Sequence, residues 1–253
     1  MADSELRLEI TALPSLPEVR PGDDLGELIA RAAPDDLADS HVIAVAHKVV
    51  SKAEGRVRVL EQVTPADRAR SLAADQDKDP RHMQVILDET QEVLRAEGGV
   101  MICVTRNGLV CANAGVDASN AEAGEVILLP VDPDESARRL RARIAELRGV
   151  RPAVVVTDSF GRPWRTGQTD VAIGAAGLAP IDDWRGRADA LGRTLRGTAI
   201  AVADVVAAAA DLARTKDSSQ PAVLVRGLGR FVAPADGPGA AALRRAREQD
   251  LFR

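Results

Sequence analysis

Short apolar runs bounded by turn-forming residues constrain this chain more than any other feature. Val42 to Val50 is almost wholly apolar until Lys48, Ser51 and Lys52 make a basic exit. EVILLPV, RPAVVVTD, TAIAVAD and PAVLVRG repeat the pattern further on. Runs this short read as strands buried on both faces; the one in RPAVVVTD is expected to end at Asp158 and give way to a loop rich in Gly and Arg. Between them lie helical signals. From Pro80 onward Met83, Ile86, Leu87, Thr90 and Leu94 form a stripe at three- and four-residue spacing. Asp132-Pro133-Asp134-Glu135 places an N-cap, a first-turn proline and a capping-box acid ahead of Ala137, Leu140, Ile144 and Leu147. The Ala-rich stretch 207–213 predicts a closely packed helix, and PGAAALRRAREQDLF a surface helix. Strands and helices alternate without a simple βα repeat, so the expected class is α+β, mixed sheets with flanking helices.

Composition narrows the function. At 253 residues, 45% hydrophobic and 28% charged, the chain can bury a large core. Its net charge of −5, with bases spread among acids, argues against a nucleic-acid surface. The opening MADSELRLEI lacks a basic region followed by an apolar core, and no run approaches bilayer-spanning length. A cytoplasmic protein with no membrane contact is expected. Cys103 and Cys111 flank Asn107-Gly108 in VMICVTRNGLVCANAG, a hairpin signal. With Asn107-Gly108 as a two-residue turn, Cys111 faces Val104, so two buried, reduced thiols are expected rather than a disulfide.

The polar clusters are few. NAGVDASN, residues 113–120, sets Asp117 and Asn120 three apart, which a tight turn or cap explains on its own. Asp117 and Asp158 each lie next to a hydroxyl or amide, the oxygen-rich setting that hard cations need. As isolated acids they also fit caps or surface ion pairs. Lys52 could reach a phosphate or be a solvated lysine. Arg162, Arg165, Thr166 and Gln168 around two glycines could hold an anion, or Pro163 and Trp164 could anchor a loop of solvated arginines. GxxxxGK[ST] and a strand–GxGxxG–helix unit are absent, and His41, His47 and His82 have no zinc-ligand spacing. The residues alone lead to a phosphate-binding enzyme using a divalent ion.

Taken in order, LPEVRPGDDLGELI, HKVVSKAEGRVR, NAGVDASN, LLPVDPDESARRLR, TDSFGRPWRTGQTDVAIG and PAVLVRGLG resemble the coenzyme F420-0:L-glutamate ligase family, from about Leu13 to Gly229. The resemblance implies GTP-dependent amide synthesis. The terminal carboxylate of the deazaflavin precursor F420-0 takes the γ-phosphoryl group, and L-glutamate displaces phosphate from the acyl phosphate. By matched position Asp117 is a metal ligand and Asn120 a GTP contact, while Asp158 and Ser159 form a second metal-binding pair, Ser159 standing where Thr is more usual. Leu16, Pro17, Glu18, Val19, His47, Lys48 and Lys52 line the GTP site, with Asp117, Asp158 and Lys52 at the chemistry. Arg214, Thr215, Lys216, Asp217, Ser218, Ser219, Gln220 and Pro221 match another nucleotide-lining segment. That segment departs from the family, which often reads Met-Gly there and sometimes follows with an acidic ligand. Asp217 could be that ligand in a shifted register, or Lys216 could touch phosphate. Val205 also stands where an acid is common. The implied ions are two Mg²⁺ or Mn²⁺, with K⁺ as a further candidate. The implied form is a single ligase domain over residues 1–253, an intertwined homodimer without the fused flavin-binding nitroreductase-like domain, and no FMN. Two rivals remain: a weakened nucleotide- or deazaflavin-binding homologue, and an acyl-phosphate-forming ligase for another carboxylic acid.

Overall fold

The computed structural model describes residues 7–252; the reading made of Met1 to Leu6 lies outside them. In chain order the elements are β1 (Glu9–Ala12), α1 (Leu25–Ala32), β2 (Val42–Ala46), α2 (His47–Ala53), β3 (Val57–Val59), α3 (Asp67–Gln76), α4 (Pro80–Glu89), β4 (Thr90–Glu97), β5 (Val100–Thr105), β6 (Val110–Ala112), β7 (Glu125–Ile127), α5 (Pro133–Arg148), β8 (Ala153–Arg162), β9 (Arg165–Ala176), β10 (Asp182–Asp183), β11 (Ala199–Ile200), α6 (Val202–Ala213) and β12 (Ala222–Arg226). The main sheet runs β1-β12-β2-β8-β9, with β2 and β8 parallel and the other neighbours antiparallel. Smaller sheets are β4-β5-β6, β3-β7 and β10-β11. Mixed sheets with flanking helices are thus what the chain forms.

Strand alternation explains the continuous apolar runs. Ile43, Val45, Val154, Val156 and Leu224 pack on one face beneath α1 and α5, through Leu25, Ile29, Ala137, Leu140 and Ile144. Val42, Ala44, Val155, Val223 and Val225 face the other way, against Val202, Ala203, Val206 and Ala210 of α6. With helices on both faces, neither set of positions can be polar. A separate core joins α3 and α4 to the β4–β6 sheet through Ala73, Met83, Ile86, Met101 and Cys103.

The α5 cap and proline signals hold, Asp132 accepting from Glu135 N at 2.9 Å, Pro133 opening the helix and Gly149 closing it in the left-handed region, but the Glu135 side chain takes Arg138 Nε rather than completing a capping box, and Leu147 of the expected stripe is exposed. Other boundaries move. The run from Val42 is a strand only to Ala46, and His47–Ala53 is helical. The stripe from Pro80 leaves the helix at Thr90, so Leu94 lies in β4. TAIAVAD contributes two strand residues before α6 begins at Val202. Asp158 does not end its strand, and the expected loop after it is an antiparallel ribbon of β8 and β9. The C-terminal segment forms only 3-10 turns at Ala240–Leu243 and Arg247–Gln249. It has too few apolar residues to bury a helical face, and Asp134 takes the N–H groups of Ala240 and Ala241.

The hairpin register also differs from expectation. Thr105 N donates to Leu109 O at 2.8 Å and Gly108 N to Thr105 O at 2.9 Å, with Gly108 at φ 82°. This three-residue loop pairs Cys103, not Val104, with Cys111. Both thiols are free and buried, as expected. Among the described residues no helix is long and apolar enough to cross a membrane.

Candidate active site

The carboxyl ends of β1 and β2, the middle of β8 and the start of β12 open on one rim, since Ala12 pairs with Val223, Ala222 with Val45, and Ala46 with Thr157. Crevices beyond strand carboxyl ends are where open α/β sheets bind ligands. A cleft of about 850 Å³ lies there. Every site residue implied by the family resemblance lines it: Leu16 to Val19 after β1, His47, Lys48 and Lys52 on α2, Asp117 and Asn120, Asp158 and Ser159 on β8, and Arg214 to Pro221 before β12.

Helical spacing aims the α2 side chains. Lys48 and Lys52, four apart, share the cleft-facing side, while Ser51 turns inward and His47, though buried, still forms part of the cleft wall. Lys52 Nζ meets Glu18 Oε1 at 2.5 Å. Lys48 Nζ meets Asp117 Oδ2 at 2.6 Å and also donates to Ser119 Oγ. His47 Nε2 stands 3.1 Å from Asp158 Oδ1 but off the line of a hydrogen bond.

NAGVDASN is both a turn and a cleft wall. Asn113, Ala114 and Gly115 are successively left-handed, and a Cβ on Gly115 would sit 2.5 Å from Leu129 Cγ. Asp117 then accepts from Ser119 N and Ser119 Oγ, both at 2.7 Å, with Asn120 left-handed at φ 58°. Burial pushes the Asp117 carboxyl up, but Lys48 and the two Ser119 bonds outweigh it and hold it below the ordinary carboxylate value.

On the opposite wall the β8–β9 register slips between Val156 and Thr157. Such irregularities re-aim side chains. Beyond it Ser159 pairs with Asp170, an acid within the otherwise apolar start of DVAIGAA. Asp170 accepts from Thr157 Oγ1 at 2.8 Å, from Ser159 Oγ at 2.6 Å and from Arg214 Nη2. Its burial raises the carboxyl's pKa, yet these partners hold it below the ordinary value. Lys216 Nζ donates to Ser159 Oγ at 3.0 Å and Asp211 Oδ1 at 2.7 Å. Asp217 is fully exposed, its carboxyl lowered first by the Thr215 hydroxyl.

Asp170, Thr157, Ser119 and Glu122 also line the cleft and were missed. Asp170 had one legible signal, a carboxylate in a strand otherwise bound for the core. The anion-holding reading of the 162–168 loop fails geometrically. Of the proposed anion loop only Gln168 reaches the cleft: Arg162 donates to Thr166 O, and Trp164, 83% exposed, anchors nothing beyond a ring contact with Phe252. Val205 is exposed and lies outside the cleft wall; the neighbouring Asp204 turns inward and accepts from Ala172 N at 2.9 Å.

Carboxylate and hydroxyl oxygens interleaved with ammonium and guanidinium groups define an anion-handling cleft able to hold a hard cation. Among the described residues no three His, Cys, Asp or Glu side chains converge as a ready-made metal cage. The family model described as F420-0:Gamma-glutamyl ligase matches residues 14–227. The chain is 47% identical over 248 residues to the coenzyme F420:L-glutamate ligase of Methanopyrus kandleri, covering 97% of this chain and 98% of that protein. Those bearing the same name from Haloarcula marismortui and Methanothermobacter thermautotrophicus are 44% and 41% identical, covering 97% of this chain in each case and 96% and 99% of the relatives. The chain belongs to the F420-0:Gamma-glutamyl ligase family.

Proposed function

We propose that the cleft binds GTP and joins L-glutamate to coenzyme F420-0, and then further γ-linked glutamates, through an acyl phosphate. The observation that carries this reading is the convergence on one cleft of all the residues that the family resemblance implies, from separate chain segments. The carboxylates of Asp117 and Asp158 and the Ser159 hydroxyl form an all-oxygen donor set that fits Mg²⁺ or Mn²⁺, and Asp217 stands further along the same rim. When bound, such ions neutralise phosphate charge during phosphoryl transfer.

The protein's own part is positioning and charge. Lys48 and Lys52, now on Asp117 and Glu18, stand where they can turn to phosphate oxygens. The Arg214–Asp170 pair braces the 214–221 segment against the floor of the cleft. The acceptor carboxylate forms a bond to the γ-phosphorus as GDP leaves. The glutamate nitrogen then bonds to the acyl carbon, losing a proton as inorganic phosphate departs. The enzyme works as a homodimer in this reading, without FMN.

Mass spectrometry of products after incubation with F420-0, GTP, Mn²⁺ and L-glutamate tests the function. The expected product carries one or more added glutamates, with GTP giving a higher kcat/KM than ATP. No mass gain sinks the ligase reading, and equal kcat/KM with ATP sinks the nucleotide assignment. Lys216 resting on Ser159 favours one second reading, a nucleotide- or deazaflavin-binding relative with weakened turnover. Precursor-dependent GTP consumption at ordinary enzymatic rates rules that out.

A further inference from the structure

Asp170 is 2% exposed, deeper than Asp117 or Asp158. Its hydrogen bonds have a fixed direction. A carboxylate only accepts, so Thr157 Oγ1 and Ser159 Oγ each direct their single proton to it. Arginine and lysine only donate, so the same hydroxyl oxygens accept from Arg214 Nη2 at 2.7 Å and Lys216 Nζ at 3.0 Å. Ser159 lines the cleft, and with its proton committed to Asp170 its oxygen can meet the cleft only as an acceptor, the role in which Lys216 Nζ now engages it.

We propose that Asp170 is a positioning residue for the reaction: by taking the Ser159 and Thr157 protons and neutralising Arg214, it holds Ser159 as an oxygen donor facing the cleft. That is the polarity a divalent cation requires, and the inference rests on the cation-assisted reading of the site. An amide at position 170 reverses it. Arg214 keeps the amide oxygen on the Thr157 side, so the amide N–H points at Ser159 and drives the Ser159 proton into the cleft.

The test is Mn²⁺ binding to the whole chain with a non-hydrolysable GTP analogue, read by electron paramagnetic resonance without turnover. Asp170→Asn should raise the Mn²⁺ half-saturation concentration by about 10- to 100-fold, the usual effect of removing a group that orients a metal ligand. Ser159→Ala should raise it too, and the double variant should be no weaker than Ser159→Ala, because both changes act through one oxygen. Since Asp170→Asn leaves Arg214 buried without its counter-charge, thermal melting is read beside each titration, and Ser159→Ala, which keeps the Asp170–Arg214 pair, should show the rise on its own. A merely structural role predicts a lower melting temperature with an unchanged Mn²⁺ midpoint, or losses that multiply in the double variant; either result overturns the proposal. Wild-type chain that binds no Mn²⁺ overturns both this inference and the cation reading. Wild-type binding matched by Asp170→Asn overturns the inference alone.

Discussion

Replacing Asp117 by Asn separates a cation ligand from a turn former. Asn keeps an acceptor for Ser119 N but loses the second oxygen, which meets Lys48 Nζ at 2.6 Å and the Ser119 hydroxyl at 2.7 Å. The Asp117 side chain is 43% exposed, so its ion pair falls in the screened class worth about 0–1 kcal/mol. For a chain of this length that lowers Tm by about 2–4 °C at most. Catalysis should respond on another scale. If Asp117 holds a cation against phosphate, losing its charge should cut turnover about 100-fold or more, about 2.7 kcal/mol of transition-state stabilisation. The deficit should shrink at saturating metal, with the midpoint moved upward. Thermal melting followed by initial rates across a Mn²⁺ titration reads both quantities. Near-wild-type rates with an unchanged midpoint would reduce NAGVDASN to a turn and refute the reasoning.

Asp204 offers a pH test, because burial raises its carboxyl above the ordinary 3.8 despite the Ala172 N bond. Its contribution to stability is present below 3.8 and lost as pH rises through the folded value, so Asp204→Asn should melt higher than wild type at pH 7 and alike at pH 3; equal melting at pH 7 contradicts this. Burial also raises both thiols, Cys111 to about 12. An aromatic disulfide reagent should titrate two thiols rapidly in denaturant and neither rapidly in the native state, and fast native labelling would show the hairpin to be open. Light scattering should report a stable homodimer. Helix α6 turns most of its small residues onto its own sheet and leaves Val205 and Leu212 exposed; an active monomer would remove the dimer from the functional reading.

Local chemistry made much of this protein legible. The α5 cap, its opening proline and its apolar stripe all act within a turn or two of chain, so Pro133–Arg148 is readable from its own residues. PAVLVRG is equally plain, because burial on both faces leaves no polar position in Ala222–Arg226 until its last residue. The β8–β9 ribbon was not. Beyond Asp158 its residues are largely polar and exposed, and an exposed ribbon carries no alternation to betray its pairing. His47–Ala53 misled for the opposite reason, since a short apolar run fits a strand or a helix equally well.

The sequence by itself determined the two-faced strands, the best-capped helix and, through ordered motifs, which polar residues belong together. Only the tertiary structure decided what those residues do to one another. Asp170 meets Ser159 through cross-strand register and Arg214 across 44 positions of chain, and Lys48 reaches Ser119 across 71. Periodicity reports the side of an element that a residue faces, whereas a site depends on distances between elements, which only the packing of the whole chain sets.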